Sequence, residues 1–396
     1  MGFNIWTDCP RVPITQLLEF IVDNRGKTVP TAQSGHKLIA TNCVTNNTLF
    51  PVYEKIRYLS DETYRTWFRA HPIPGDILFV NKGTPGRVCM VPDPIDFCIA
   101  QDMIALRADD AKIYNKYLFA VLRSHEIQQQ IYNTSVGDVI PHFKKQFMDQ
   151  LLIPVPDRKI QEAIGDLYYV LSYKVEHNKK INDNLLAQAQ AIFTQRFITD
   201  EIEGDEKPLY DFADYINGAA FKPSECGDHG LPIIKIVELK NGITDSTKFF
   251  DGFKGDKYLI QDKDILFSWS GNPDTSIDIF IWTHGKAILN QHTFNVKSNT
   301  GHRWFTFLML KYFKPEFSRI ASNKQTTGLG HVTATDLKRL TFIFNEAAIE
   351  AFEHEISPFM ETIYANMMEN QRLSQLRDTL LPKLMSGEID VSDIQV

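Results

Sequence analysis

Paired cysteines are missing from this chain. Its five, Cys9, Cys43, Cys89, Cys98 and Cys226, are scattered without a C-x-x-C spacing. That excludes a disulfide frame or a cysteine zinc site and predicts free thiols in a reducing compartment. No apolar run approaches the roughly 18 residues of a membrane span, and no basic-then-apolar leader opens the sequence, so the expected location is cytoplasmic. An excess of positive charge is missing too: 42 Lys and Arg against 49 Asp and Glu give a net charge of −7. A protein that binds a polyanion rests on Lys and Arg, so their distribution matters more than the sum. Residues 1–157 carry 16 basic and 16 acidic side chains, 158–206 carry 6 and 9, 207–345 carry 17 and 14, and 346–396 carry 3 and 10. The acid collects in two stretches that read as helices, and the parts between are neutral to slightly basic. Nucleic-acid binding stays open on these numbers, weak without a more basic partner.

Catalytic signatures are sparse as well. A methyltransferase acting on a flipped base needs an Asn/Asp-Pro-Pro-aromatic motif; Asn272-Pro273-Asp274 lacks the second proline and the aromatic. Gly26-Lys27-Thr28 has Ile21 where a phosphate-binding loop needs its first glycine, and it reads as a turn, as does Gly328-Leu329-Gly330. The nearest approach to an enzyme is nuclease-like: Pro92-Asp93 ahead of Asp110-Ala111-Lys112, two carboxylates and a lysine able to hold Mg²⁺ and position a water. Asp93 sits in a proline-rich turn and Lys112 just before a helix, so a chance pattern is the simpler reading. His71, His142 and His331 lack metal-ligand spacing. No catalytic residue, metal site or cofactor is expected.

What the chain does have is a repeat. With 396 residues, 43% hydrophobic and 23% charged, it holds enough for two or three globular domains. Gly75-Asp76-Ile77-Leu78-Phe79 returns as Lys263-Asp264-Ile265-Leu266-Phe267, 188 residues on. Ala100-Gln101-Asp102 returns as Asn290-Gln291-His292 at 190, and residues 142–151 match 331–340 at 189. Asn178, Asn182, Leu185 and Ile192 meet Asn366, Asn370, Leu373 and Leu380 at 188. Four matches in order at a nearly constant offset describe a duplicated plan. Each copy opens with short apolar strands, at 37–44, 76–80 and 98–106 or at 232–239, 264–268 and 277–282. One helix interrupts them, at 114–132 or 303–322. A last strand, 151–155 or 340–344, leads into a long helix.

The first long helix is expected from about 158 to 197. Stepping 4-3-4-3 from Ile160 lands on Ile164, Leu167, Leu171, Lys174, Asn178, Ile181, Leu185, Gln188 and Ile192, a heptad seam with a polar middle. The matching seam of the second holds Phe352, Phe359, Asn366, Leu373, Leu376 and Leu380. Each stripe is too apolar for water, and its simplest mate is the other stripe, antiparallel; separate docking on each domain is the competing arrangement. Asn178 and Asn366 occupy equivalent positions able to fix register. A helix of about 40 residues spans roughly 60 Å, which bounds the distance between two heads at roughly 17 base pairs. The expected class is α+β: two pseudo-repeated α/β domains (1–157 and 207–345) joined by two long antiparallel coiled-coil helices (158–206 with its linker, and 346–396).

This order of domain, helix, domain, helix resembles the specificity subunits of type I restriction–modification systems. Leu376-Arg377-Asp378-Thr379-Leu380-Leu381-Pro382-Lys383-Leu384-Met385-Ser386-Gly387-Glu388-Ile389 looks like that family's ending. Ile140-Pro141-His142-Phe143, then Leu151-Leu152-Ile153-Pro154-Val155-Pro156 and Gln161, resembles the boundary where a target-recognition domain enters its helix. The second boundary departs from it, with Phe344-Asn345 in place of Pro154-Val155-Pro156. The resemblance implies that each domain reads half of a split double-stranded DNA site and that the helices set the spacing. It further implies two methyltransferase subunits as partners, restriction subunits in the full complex, and S-adenosylmethionine, ATP and magnesium bound by those partners alone.

Candidate DNA contacts are basic and amide residues in loops. In the first domain they are Lys55, Arg57, Arg65, Arg69, Lys82, Arg87, His142, Lys144 and Lys145; in the second, Lys222, Ser270, Asn272, Lys286, Arg303, Lys324, Gln325 and His331. Arg and Lys suit guanine, Asn and Gln suit adenine, and any of them can hold phosphate. The segments 82–87 and 268–272 follow corresponding strands, and 142–145 and 324–331 form a second corresponding pair. Two other readings stand beside this one: a self-contained nuclease or methyltransferase, and a two-headed protein scaffold that binds no DNA.

Overall fold

The computed structural model describes residues 3–24, 27–137, 140–199, 202–324 and 329–390. It divides into two compact units, Met1–Asn178 with Glu369–Val396, and Lys179–Met368. In the first unit, strands β1 (Leu18–Val22), β2 (Ile77–Val80), β3 (Val88–Met90) and β4 (Met103–Ala108) form an antiparallel sheet of order β1-β4-β2-β3. β2 is an unbroken apolar run because both of its faces are covered. Ile77 and Phe79 join the main core with helix α1 (Asn115–Leu122), while Leu78 and Val80 join a second core under a smaller sheet. That sheet pairs His36–Ile39 antiparallel with Arg57–Leu59 and parallel with Phe97–Ile99. Helix α2 (His125–Thr134) follows α1.

The second unit repeats the plan. Strands β5 (Ala213–Asn217), β6 (Ile265–Ser268), β7 (Asp278–Ile281) and β8 (Thr293–Ser298) take the order β5-β8-β6-β7, with helices α3 (Arg303–Tyr312) and α4 (Lys314–Asn323) after them. Its smaller sheet again holds one parallel pair, Leu231–Ile234 with Ala287–Leu289.

The motif shared by the repeats proves to be a structural device. Asp76 accepts from the Ile73 amide at 2.9 Å and takes two bonds of 3.0 Å from the Arg107 guanidinium. Asp264 accepts from the Gln261 amide at 3.0 Å and from Lys297 Nζ at 2.5 Å. Both carboxylates are buried, where an unpaired charge would be costly, and each is satisfied by the strand two places along. The Asp76 carboxylate holds the Arg107 guanidinium above its ordinary pKa.

Local chemistry breaks five expected elements, the first being the strand at 37–44, which ends at Ile39 and becomes a 3-10 turn at Thr41–Cys43. The single helix at 114–132 is two, because the Ser124 side chain caps α2 at the Ile127 amide. The one at 303–322 is also two, with Pro315 in the first turn of α4, where no amide hydrogen is needed. The strand at 98–106 splits at Asp102, whose φ is 75°. The strand at 232–239 turns into a short helix, Ile236–Asn241.

Two long helices complete both units: a central one, Arg158–Thr194, continued by a π-turn at Gln195–Thr199, and a C-terminal one, Glu346–Met385. The strands that feed them, Leu152–Pro154 and Thr341–Phe344, pair with Arg11–Pro13 and Asp205–Pro208. Asn345, the departure noted at the second boundary, accepts from the Ala348 amide at 2.9 Å and so caps the C-terminal helix. Within each unit the helical segments run antiparallel. In the first, Ile164, Tyr168 and Leu171 line a seam with Leu384, Leu381 and Arg377, and Asn178 donates to Glu369 (2.6 Å) and Asn370 (2.9 Å). In the second, Asn366 donates to Asn182 at 2.8 Å, and Phe193 and Phe197 meet the Phe352 ring at 5.7 and 5.2 Å.

Ile164, Leu171, Asn178 and Phe352 are buried as the seam requires; Leu185, Ile192, Phe359, Asn366, Leu373 and Leu380 are half-buried. The alternate steps are out of phase by one residue. Tyr168, Val175 and Ala189 are buried where Leu167, Lys174 and Gln188 were expected, and Lys174 is exposed. Leu376 is exposed likewise, and Arg377 takes the buried place with its guanidinium over Tyr168 and bonded to Asp378. A 3.5-residue count from one anchor fits either phase; the packing partner chooses between them.

Candidate nucleic-acid interface

Each main sheet has one end toward the long helices and one end of loops. In the first unit the helix end is fixed by Asn115, whose side chain donates to the Gly75 carbonyl at 2.8 Å, and by Gln161 of the central helix, which accepts from the Tyr114 amide at 2.8 Å. At the other end the chain leaves β2 and meets the segment around His142, a pairing that the sequence did not announce. Phe143 donates to the Asn81 carbonyl, Lys82 and His142 form a β-bridge, and Gly83 donates to the Pro141 carbonyl. The second unit does the same: Val332 donates to the Trp269 carbonyl, Ser270 pairs with His331, and Gly271 with Gly330. The loops at 82–87 and 142–145, and at 268–272 and 330–331, are thus joined at the end of the sheet remote from the helices.

The loop end of the first unit is cationic. Lys82, Arg87, Lys144 and Lys145 are exposed there, and among the described residues Arg87 and Lys144 have no side-chain partner. Lys82 lies 3.9 Å from Asp102. Lys145 pairs with Asp23, and its partial burial pushes the ammonium below its ordinary pKa. Arg69 belongs to the same end, since its amide and the Ile99 carbonyl share the Asn24 side chain. Lys55 lies just before the strand Arg57–Leu59 of the smaller sheet, Arg57 lies on that strand and Arg65 on the short helix Asp61–Thr66; all three are exposed.

The loop end of the second unit is aromatic and polar. Trp269 stacks on Phe294 and donates to the Asn217 side chain at 3.2 Å, with His292 beside it. Asn272 is exposed, its side-chain Oδ1 accepting from the Asp274 and Thr275 amides. Lys324 is tied to buried Asp336 at 2.5 Å; burial would raise that carboxyl, but Lys324 and Thr333 hold it below its ordinary pKa. Arg303 and Lys286 are not brought to this end. Arg303 starts α3, whose Trp304 and Phe305 amides bind Glu353 of the C-terminal helix, and Lys286 precedes Ala287, which pairs with Ile260 near Asp264. Lys222 is exposed on the loop after β5, and Gln325 lies outside the described residues.

The nuclease-like pattern does not assemble. Asp110 is held by Arg158 at 2.9 Å and Lys112 by Asp109 at 2.8 Å. Among the described residues no group of His, Cys, Asp and Glu is placed to hold a metal, and no helix is long and apolar enough to cross a membrane.

Residues 21–187 and 202–378 match the family described as the type I restriction modification DNA specificity domain, once in each half of the chain. The chain belongs to that family. The specificity subunit of the type I restriction enzyme MjaIX from Methanocaldococcus jannaschii is 22% identical over 351 residues, covering 81% of this chain and 79% of that protein. The specificity subunit of the type I restriction enzyme HindI from Haemophilus influenzae is 21% identical over 403 residues, covering 80% and 86%. In fold, the chain is similar to the crystal structure of a type I restriction–modification S subunit from M. genitalium, with a TM-score of 0.53, 15% identity and coverage of 94% and 95%. Type I specificity subunits recognise DNA sequence, act with modification and restriction subunits, and are not themselves catalytic.

For a specificity subunit, the sequence reading missed one surface. The outer face of α2, with His125, Gln129, Tyr132 and Asn133, borders the first loop pair and is exposed. Its signal was present: in His125–Thr134 only Ile127 and Ile131 are buried, so most of the helix carries polar groups that no core needs.

Proposed function

We propose that this specificity subunit reads a split duplex site, with the head of residues 1–157 on one half and the head of residues 207–345 on the other. The connecting segments, 158–206 and 346–396, set the gap and dock two methyltransferase subunits; restriction subunits join in the full complex, and this chain binds no cofactor of its own. The observation that carries this reading is the recurrence of one loop pair at one end of one sheet, Lys82 with His142 and Ser270 with His331. Small residues in both loops admit a nucleic-acid backbone closely. The exposed cations suit phosphate, and the amides and imidazoles suit base edges.

The test is the methylation pattern of a host that expresses this chain with its methyltransferase partner. A split motif with a fixed gap is expected. Because Asn178 bonds to Glu369 and Asn370, a longer spacer needs seven residues added after Asn178 and seven after Met368, which keeps that polar layer paired. This double insertion should change the gap and leave both half-sites as they were. An unaltered gap would show that the heads alone set the distance.

A further inference from the structure

The exposed face of α2 closes one side of a groove of about 900 Å³, whose other walls are the turn at Gly83-Thr84-Pro85 and the chain at Ser135. His125, Gln129, Tyr132 and Asn133 follow the spacing i, i+4, i+7, i+8 and so lie on one stripe, with Tyr132 76% exposed. Gln128 is committed to structure: its amide nitrogen donates to the carbonyls of Gly86 (2.8 Å) and Leu122 (2.6 Å) and ties the 83–87 turn to the helix. Gln129 and Asn133 bond to each other, Nε2 to Oδ1 at 2.9 Å. That one bond orients both amides and leaves an acceptor on one, Gln129 Oε1, and a donor on the other, Asn133 Nδ2. In the major groove this pair complements adenine, which offers its N6 amino hydrogen beside N7; guanine offers two acceptors there and cytosine a lone donor.

We infer that this face of the first head is a base-reading surface, in which the coupled amides of Gln129 and Asn133 take the major-groove edge of an adenine and Tyr132 packs beside them. The inference rests on the two-headed reading above. Arg87 on one flanking loop and Lys144 on the other supply phosphate contacts that position the duplex. Glu126, the acid of α2, stands in its first turn and does not line the groove. The second head lacks this surface. The repeat puts Ser318, Ala321 and Ser322 at the positions of Gln129, Tyr132 and Asn133. Ser318 donates to the Pro273 carbonyl at 2.9 Å, and Ala321 is buried.

The full chain, expressed with its methyltransferase partner, tests this through the methylated motif of the host genome. Gln129→Ala with Asn133→Ala should make one A·T pair of one half-site degenerate, discrimination there falling roughly 5- to 150-fold, with the other half-site and the gap unchanged. Ser318→Ala with Ser322→Ala should leave the motif as it is. Both pairs are tested alongside a thermal melt, so that a folding defect is seen directly; Tyr132→Ala, at a largely exposed side chain, gives a second reading of the same half-site. An unchanged motif in the folded Gln129/Asn133 variant overturns the inference, as does relaxation at a G·C pair or an even loss over all sequences. A wild-type chain that yields no split motif would remove the two-headed reading first, which separates the two failures.

Discussion

At the loop end of the first head stand Lys82, Arg87, Lys144 and Lys145; at the same places in the second, the repeat puts Ser270, Thr275, Thr333 and Ala334. Four cations in one copy have no cation opposite them in the other. The frame behind those loops behaves differently. Asp76 and Asp264 do the same work with Arg107 and Lys297. Arg123 and its counterpart Lys311 are both half-buried cations, the first bonded to the carbonyls of Thr45, Thr48 and Val88, the second to Asp278 at 2.7 Å. Even the junction with the long helices is solved twice: Gly165 lets the central helix approach the Tyr117 amide so closely that a Cβ would come within 2.6 Å, whereas Glu353, its counterpart, places a carboxylate on the Phe305 amide at 2.7 Å. Frame positions keep a role while the chemistry changes around it. Positions on the loop end change chemical class, as surfaces that contact different sequences would.

The interiors differ in the same manner. Where the second unit packs Phe193, Phe197, Phe342 and Phe352, the first has Leu381, Met385, Ile153 and Ile164. The largest expected effect therefore belongs to the aromatic core. Phe352→Ala should cost about 3–5 kcal/mol in urea unfolding, because the ring also touches Phe305, and Ile164→Ala should cost about 2–4 kcal/mol. If Ile164→Ala is the costlier of the two, the aromatic packing adds nothing that aliphatic packing lacks.

Electrostatics at the loop ends should separate the heads next. With its methyltransferase partner present, Lys82→Ala combined with Arg87→Ala should weaken duplex binding and lower the slope of log K against log salt by roughly 2, if each cation neutralises one phosphate. Ser270→Ala combined with Thr275→Ala should leave the slope alone. Equal slopes in the two variants would mean that the charge difference between the heads does not bear on binding.

The smallest effect concerns one backbone position. Gly75 has a φ of 88°, and its counterpart Lys263 is held at 69°, in a region that costs a residue with a Cβ about 1 kcal/mol. Lys263 is retained there with its ammonium 2.7 Å from Glu361 and over the Tyr364 ring, contacts of half-exposed groups worth at most about 1 kcal/mol. Lys263→Gly should thus change thermal stability by a few tenths of a kcal/mol in either direction, while Gly75→Ala should lower it by about 1 kcal/mol. A large loss in Lys263→Gly would make the Glu361 contact the dominant one.

Much of this protein was legible in its sequence because the signals are local or repeated. A short apolar run such as Ile77-Leu78-Phe79-Val80, bounded by turn residues, reads as a strand, and finding Ile-Leu-Phe again 188 residues later points to two copies of one plan. The scattered cysteines and absent catalytic motifs needed no structure either. Other features depend on which distant groups meet. Heptad counting gave the anchors Ile164, Leu171 and Asn178, but only the opposing helix decided for Tyr168 and Val175 over Leu167 and Lys174. Nothing near Asp76 in sequence names Arg107 as its partner, and nothing near Glu353 names the Phe305 amide. The amide face of α2 was passed over because a polar helix surface looks alike whether it faces water or a base; its place beside the Gly83–Pro85 turn is set by how α2 packs on the sheet. Local periodicity follows from the geometry of a single helix or strand. Ion pairs, capping across elements and the choice of seam are contacts between segments far apart in the chain, and those exist only once the chain has folded.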